Sequence, residues 1–213
     1  MVIKGYLLKG ALFLIVLAVS IRADLTHRQI ERAYYKSYEM EHQKKDYRGA
    51  VEAMKPVLKA FPNGYTVNFR MGWLSYLDSE YDYALQYYRK ALAIYPASVE
   101  VLNCISLIHV ARKEWGKVEE VNQRIIKIDH FNQTANYWYA YALKMRRRYS
   151  QAEKVCRKML VVFPTSVKFL QELAEILYLN NKTEEAHSVF LSVIILDPFN
   201  EKATKYLKKF SEK

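Results

Sequence analysis

The residues that could do covalent or metal chemistry do not converge in this sequence. Its five histidines, His27, His42, His109, His130 and His187, share no spacing. No CxxC or HExxH pattern sets metal ligands on one turn or helix face, and GxSxG, P-loop and GxGxxG signatures are missing. Cys104 and Cys156 read as two buried free thiols, not a disulfide. The adjacent acids Glu119/Glu120 and Glu184/Glu185 read as solvated helix surface. These residues imply no catalytic site, no cofactor and no metal. What remains is non-covalent: 18 Tyr, 9 Phe and 3 Trp offer large contact areas with polar tips, and a net charge of +11 attracts anions.

The elements that position these side chains announce themselves by repetition. Pro62, Pro96, His130, Pro164 and Pro198 recur every 34 residues, and two places later stand Gly64, Ser98, Asn132, Ser166 and Asn200, each able to cap a helix. Tyr47, Tyr81, Trp115, Tyr149 and Thr183 form an aromatic column, and Ala50, Ala84, Val118, Ala152 and Ala186 a slim one. Within residues 65–98, Val67, Met71, Leu74 and Leu77 mark a first amphipathic helix, and 78–82 a turn. Ala84, Tyr88 and Ala91 lie on one face of a second helix over 83–95. Gly72 sits mid-helix at a cost of about 1 kcal/mol against alanine, which implies the close approach of another backbone. Thr26 and Gln29 make a capping box, so the first helix is expected to start near His27. Few Gly and Pro and no linker composition argue for one elongated all-helical domain after about residue 25.

Gly72, Ala84, Tyr88, Ala91 and Pro96 at these spacings resemble the tetratricopeptide repeat, as do Ala174, Ala186, Phe190 and Pro198 and, more sparsely, Ala140, Ala152 and Pro164. The third repeat is degraded, and the first departs at Tyr38, where a small residue is expected. The resemblance implies an all-α, right-handed superhelical solenoid of five helix-turn-helix repeats, about 31–64, 65–98, 99–132, 133–166 and 167–200, closed by a capping helix over 201–213. It also implies a concave groove lined by positions 2, 5, 9 and 12 of each first helix. On this chain the groove carries Tyr35, Glu39 and His42, then Phe69, Trp73 and Tyr76, then Asn103 and Leu107. Tyr137, Tyr141 and Lys144 follow, and then Gln171, Glu175 and Tyr178. The partner-binding candidates among these are Tyr35, Phe69, Trp73, Tyr76, Asn103, Tyr137, Tyr141, Lys144 and Tyr178, suited to one or more proteins or peptides. Tyr35, Glu39 and Phe69 stand where the two-carboxylate clamp of chaperone-binding relatives would need Lys, Asn and Arg, so that role is disfavoured.

Residues 1–23 stand outside the period. Lys4 and Lys9 precede an apolar run from Ala11 to Ile21, closed by Arg22. The run is shorter than the roughly 20 residues that span a bilayer, so it reads as a secretory signal peptide or, if uncleaved, an N-terminal membrane anchor. Either places residues 24–213 outside the cytosol, most simply in a periplasm or on a membrane facing it. The expected function is a non-enzymatic interaction scaffold in an envelope-associated complex, with self-association left open. The alternatives are a helical-repeat binder of RNA or other nucleic acid, which the proline and alanine columns and the export segment disfavour, and peripheral attachment to anionic lipid through Lys202–Lys213.

Overall fold

The computed structural model describes residues 25–212; the leader and its signal or anchor readings lie outside the described residues. Those residues form helices and no strand: α1 (His27–Glu39), continued by a π-turn over Met40–Lys44, α2 (Tyr47–Ala60), α3 (Tyr65–Leu77), α4 (Tyr81–Ile94), α5 (Val99–Ala111), α6 (Trp115–Ile128), α7 (Gln133–Met145), α8 (Tyr149–Val162), α9 (Val167–Leu179), α10 (Thr183–Leu196) and α11 (Glu201–Ser211). Odd-numbered helices are the first helices of the repeats and even-numbered ones the second, with α11 as the closing helix. The chain divides into two compact units, within Met1–Ile94 and Tyr95–Lys213. Only Pro96 of the repeat column stands beside that division, with no linker-like run of glycine, proline or polar residues. In each unit, helices consecutive in the chain pack on one another.

Local chemistry sets the helix ends. Thr26 closes its capping box in both directions, its backbone N–H donating to Gln29 Oε1 at 2.8 Å. Ser98, Asn132 and Asn200 accept from the third residue beyond, as the capping column requires, whereas Gly64 and Ser166 make no such side-chain bond. First helices end on a left-handed residue, and that column is Lys45, Ser79, Lys113, Arg147 and Asn181, with φ of 55, 63, 55, 59 and 61° and no glycine. The next amide then reaches back five residues: Glu80 N to Ser75 O at 2.8 Å, Glu114 N to His109 O, Arg148 N to Leu143 O and Lys182 N to Leu177 O, each at 2.9 Å. In the first repeat Asp46 N reaches back six, to Met40 O at 3.0 Å. The π-turn therefore holds one extra residue, and every side chain before it advances by one place in the repeat frame.

Small residues sit where helices meet. Ala84, Ala91, Ala140, Ala152, Ala174 and Ala186 are fully buried. A Cβ on Gly72 would lie 2.6 Å from Tyr88 Cε1, so what approaches this glycine is the buried ring of Tyr88 and not another backbone. In the first repeat Ser37 is fully buried and Tyr38 is 47% exposed, so the π-turn supplies the small residue that appeared to be missing at Tyr38.

The second unit is also tied by ion pairs across its outer corners. Glu119 was expected on solvated surface but is buried and accepts from Arg146 and Arg148 of the next turn. Glu153 accepts from Lys182 at 2.9 Å and from Arg157 at 2.9 Å. Burial pushes the Glu153 carboxyl up, but the Lys182 and Arg157 bonds outweigh it and hold the group below its ordinary value.

Candidate partner-binding face

In the first unit this face is built on α1 and α3. Arg70 is 4% exposed and donates from Nε and Nη2 to Ser37 Oγ at 3.1 and 2.8 Å and from Nη1 to Glu41. The Trp73 indole N–H donates to the same carboxylate at 2.9 Å, and the Arg70 guanidinium lies 3.8 Å from the Tyr38 ring centroid. All three guanidinium nitrogens and both carboxylate oxygens of Glu41 are thus engaged, the pairing that a buried charge demands. Around it lies an aromatic surface: exposed Tyr38 stacks on exposed His42 at 5.9 Å, half-buried Tyr65 on Phe69 at 6.2 Å, and half-buried Trp73, Tyr76 and Tyr81 follow at centroid separations of 5.5 and 5.9 Å.

Phe69, Trp73 and Tyr76 stand in this surface; Tyr35 does not. The one-residue advance puts Tyr34, Tyr38 and Glu41 where the uninterrupted frame put Tyr35, Glu39 and His42, and leaves Tyr35 71% exposed. Glu39 instead pairs with Lys44 at 2.9 Å. Burial raises the Tyr34 hydroxyl pKa, helped by Tyr38 and opposed by Arg70.

The second unit repeats the arrangement with opposite charges. Lys144, only 6% exposed, lies 2.7 Å from Glu172 Oε1 and 3.1 Å from Glu175 Oε2. The arginine pair of the first unit spans 29 residues (Glu41 to Arg70) and the lysine pair 28 (Lys144 to Glu172). The difference of one is the π-turn. Lys144 is therefore an internal lock between α7 and α9, not a free cation offered to a partner. Burial pulls its pKa down, but Glu172 and Glu175 overcome that and leave it raised.

Tyr137 and Tyr141 are half-buried on α7. Lys168 lies 3.8 Å from the Tyr137 centroid and Lys144 4.5 Å from that of Tyr141. Burial, reinforced by Glu172, pushes the Tyr137 hydroxyl to about 12. Tyr178 packs edge-on against Tyr206 at 5.1 Å and Phe210 at 5.7 Å, so its ring serves the closing helix. Asn103 on α5 is half-buried, with its side-chain oxygen shielded and without a hydrogen-bond partner among the described residues.

Sequence reasoning passed over Ser37, Glu41, Arg70, Glu172 and Lys168. The available signal was the sixth residue of the first helix, where Arg70 and Glu172 are charged on an inward-facing register.

Candidate catalytic groups stay dispersed. His109 Nδ1 lies 2.6 Å from Glu114, His187 stacks edge-on against Phe210, and His42 lies on Tyr38. Among the described residues no three His, Cys, Asp or Glu side chains are grouped to hold a metal. Cys156 is buried, which drives its thiol pKa up, but Cys104 is half-buried and not buried as expected.

The tetratricopeptide-repeat family model matches residues 43–99. Among solved structures, the chain is similar to a crystal structure of MamA protein, at 19% identity over 85% of this chain and 97% of that one, with a TM-score of 0.71. MamA 41-end from Desulfovibrio magneticus RS-1 aligns at 14% identity over 81% and 97% of the two chains, with a TM-score of 0.72. MamA AMB-1 aligns at 20% identity over 78% and 98%, with a TM-score of 0.65. Comparison with curated protein sequences gives no match. At these identities the structural likeness speaks for the fold alone, paired helices packed in chain order, and residues 43–99 carry the tetratricopeptide-repeat sequence pattern.

Proposed function

We propose that this protein is a non-enzymatic scaffold that binds partner proteins through the first-helix face of its repeats. We further propose that it is exported or membrane-anchored and supports assembly of an envelope-associated complex. The observation that carries the binding reading is the aromatic surface of half-buried Phe69, Trp73 and Tyr76 and exposed Tyr38, held rigid from behind by the Arg70–Glu41 pair. Tyr and Trp so fixed bring large area and a polar tip at little cost in side-chain entropy. The export reading is supported by the apolar run between Lys9 and Arg22.

Affinity capture from membrane and soluble fractions, with wild type and Trp73→Ala/Tyr137→Ala side by side, tests the binding reading. A defined set of proteins recovered by wild type and lost from the variant is expected. Equal recovery by both would overturn it.

A further inference from the structure

A second candidate surface lies on the outer corners, away from the first-helix face. Where the turn of one repeat meets the second helix of the repeat before it, the second unit always seats an acid–base clamp: Glu119 with Arg146 and Arg148, and Glu153 with Lys182. The same corner of the first unit is found by counting back whole repeats. Val51 stands 68 residues before Glu119 and 102 before Glu153. Asp78 and Glu80 stand 68 before Arg146 and Arg148, and Glu80 is 102 before Lys182. The central glutamate is thus replaced by valine and the bases by acids.

The corner is also open. A cavity of about 390 Å³ lies there, lined among others by Arg48, Val51, Asp78, Glu80, Tyr83 and Tyr87. Its charges are incompletely satisfied from within. Arg48 reaches Asp78 at 3.2 Å from a side chain that is itself 82% exposed, and Lys55 is held by Glu52 at 2.5 Å. Glu80 has no cationic partner among the described residues. Tyr83 is 58% exposed and Tyr87 half-buried, and both line the same cavity as Glu80.

We propose that this corner takes a lysine or arginine side chain of a partner protein. Its cationic head pairs with Glu80 and its stem lies on Tyr83 and Tyr87. Such an occupant restores from outside the acid–base clamp that the second unit completes from within. Three acids against two bases favour a cation over an anion. The aromatic walls suit a cation with an apolar stem, whereas a hard metal ion asks for six to eight oxygens. The proposal shares no residue with the first-helix face, so either can fail alone.

The test is a titration of the intact protein with N-acetyl-arginine amide, followed by amide and tyrosine-ring NMR shifts. The neutral isostere N-acetyl-citrulline amide is the control. Saturable shifts confined to the corner are expected with the arginine probe, absent with citrulline. They should weaken about tenfold in Glu80→Gln, the loss of one charge-assisted contact. Tyr83→Ala should weaken them as well, without changing the far-UV spectrum. Shifts that do not saturate, that citrulline reproduces, or that survive Glu80→Gln would overturn the proposal.

Discussion

At the scale of single residues, Gly72 shows how a composition rule becomes a contact. A methyl at this position would meet Tyr88 Cε1, Cδ1 and Cζ at 2.6, 2.7 and 3.0 Å. Tyr88 is fully buried and has Phe69 against it at 6.1 Å, so the ring has nowhere to retreat. Gly72→Ala gains about 1 kcal/mol in helix propensity, but overpacking a filled core costs about 1–3 kcal/mol. A net loss of up to about 2 kcal/mol is expected in urea unfolding. The sign should reverse in a Tyr88→Leu background, where the methyl has room. A stabilising Gly72→Ala in the wild-type background would refute this account. The sequence showed that something must come close to Gly72. Which atoms come close depends on a rotamer, and the sequence carries no rotamers.

At the scale of elements, α1 and α3 are locked by a charge that neither could bury alone. Removing one member of a buried pair strands the other at a cost of about 3–5 kcal/mol, whereas replacing both with groups of similar shape is often near neutral. Arg70→Ala should therefore lower stability by that amount, because Glu41 stays buried with only the Trp73 indole on it. Glu41→Gln/Arg70→Met should recover all but about 1 kcal/mol, and denaturant midpoints of the four proteins measure the coupling. Additive losses would mean that the pair does not act as a unit. The same lock explains which parts of the face were legible. Phe69, Trp73, Tyr76, Tyr137 and Tyr141 were readable because the 34-residue frame runs unbroken through their helices. Tyr35 was misplaced because the π-turn takes up its extra residue directly after α1, leaving every downstream column in phase. The two traces it left in the sequence were Tyr38 in the small-residue column and a helix start at His27, four residues before the frame's 31. Lys144 looked like an exposed binding cation because its partners, Glu172 and Glu175, lie almost a full repeat away.

At the scale of the whole molecule, charge and burial together define a pH window. The chain carries +11 at neutral pH, so each carboxylate that takes up a proton adds to an existing self-repulsion. Among the described residues two carboxyls are held below their ordinary value of 4.5: Glu153, and Glu114, where the His109 and Lys117 bonds overcome the effect of burial. A depressed native pKa stabilises above the ordinary carboxylate range, and that contribution is lost as pH falls through the native value. Tyr137 works from the other end. Its native pKa of about 12 exceeds the ordinary 10.0, so the folded state keeps a proton that the unfolded chain gives up. Its contribution is complete below pH 10 and is lost as pH rises toward 12. Melting temperature should thus be nearly level from about pH 5 to 10 and fall on both sides. Glu153→Gln should lower the plateau and flatten the acid limb, because its clamp no longer titrates. Tyr137→Phe should leave the plateau in place and flatten the fall above pH 10. The two variants act on opposite limbs, so an alkaline fall that is unchanged in Tyr137→Phe would move its cause from Tyr137 to the other tyrosines raised by burial, Tyr34, Tyr87 and Tyr206, or to the loss of charge at Lys144 beside Glu172.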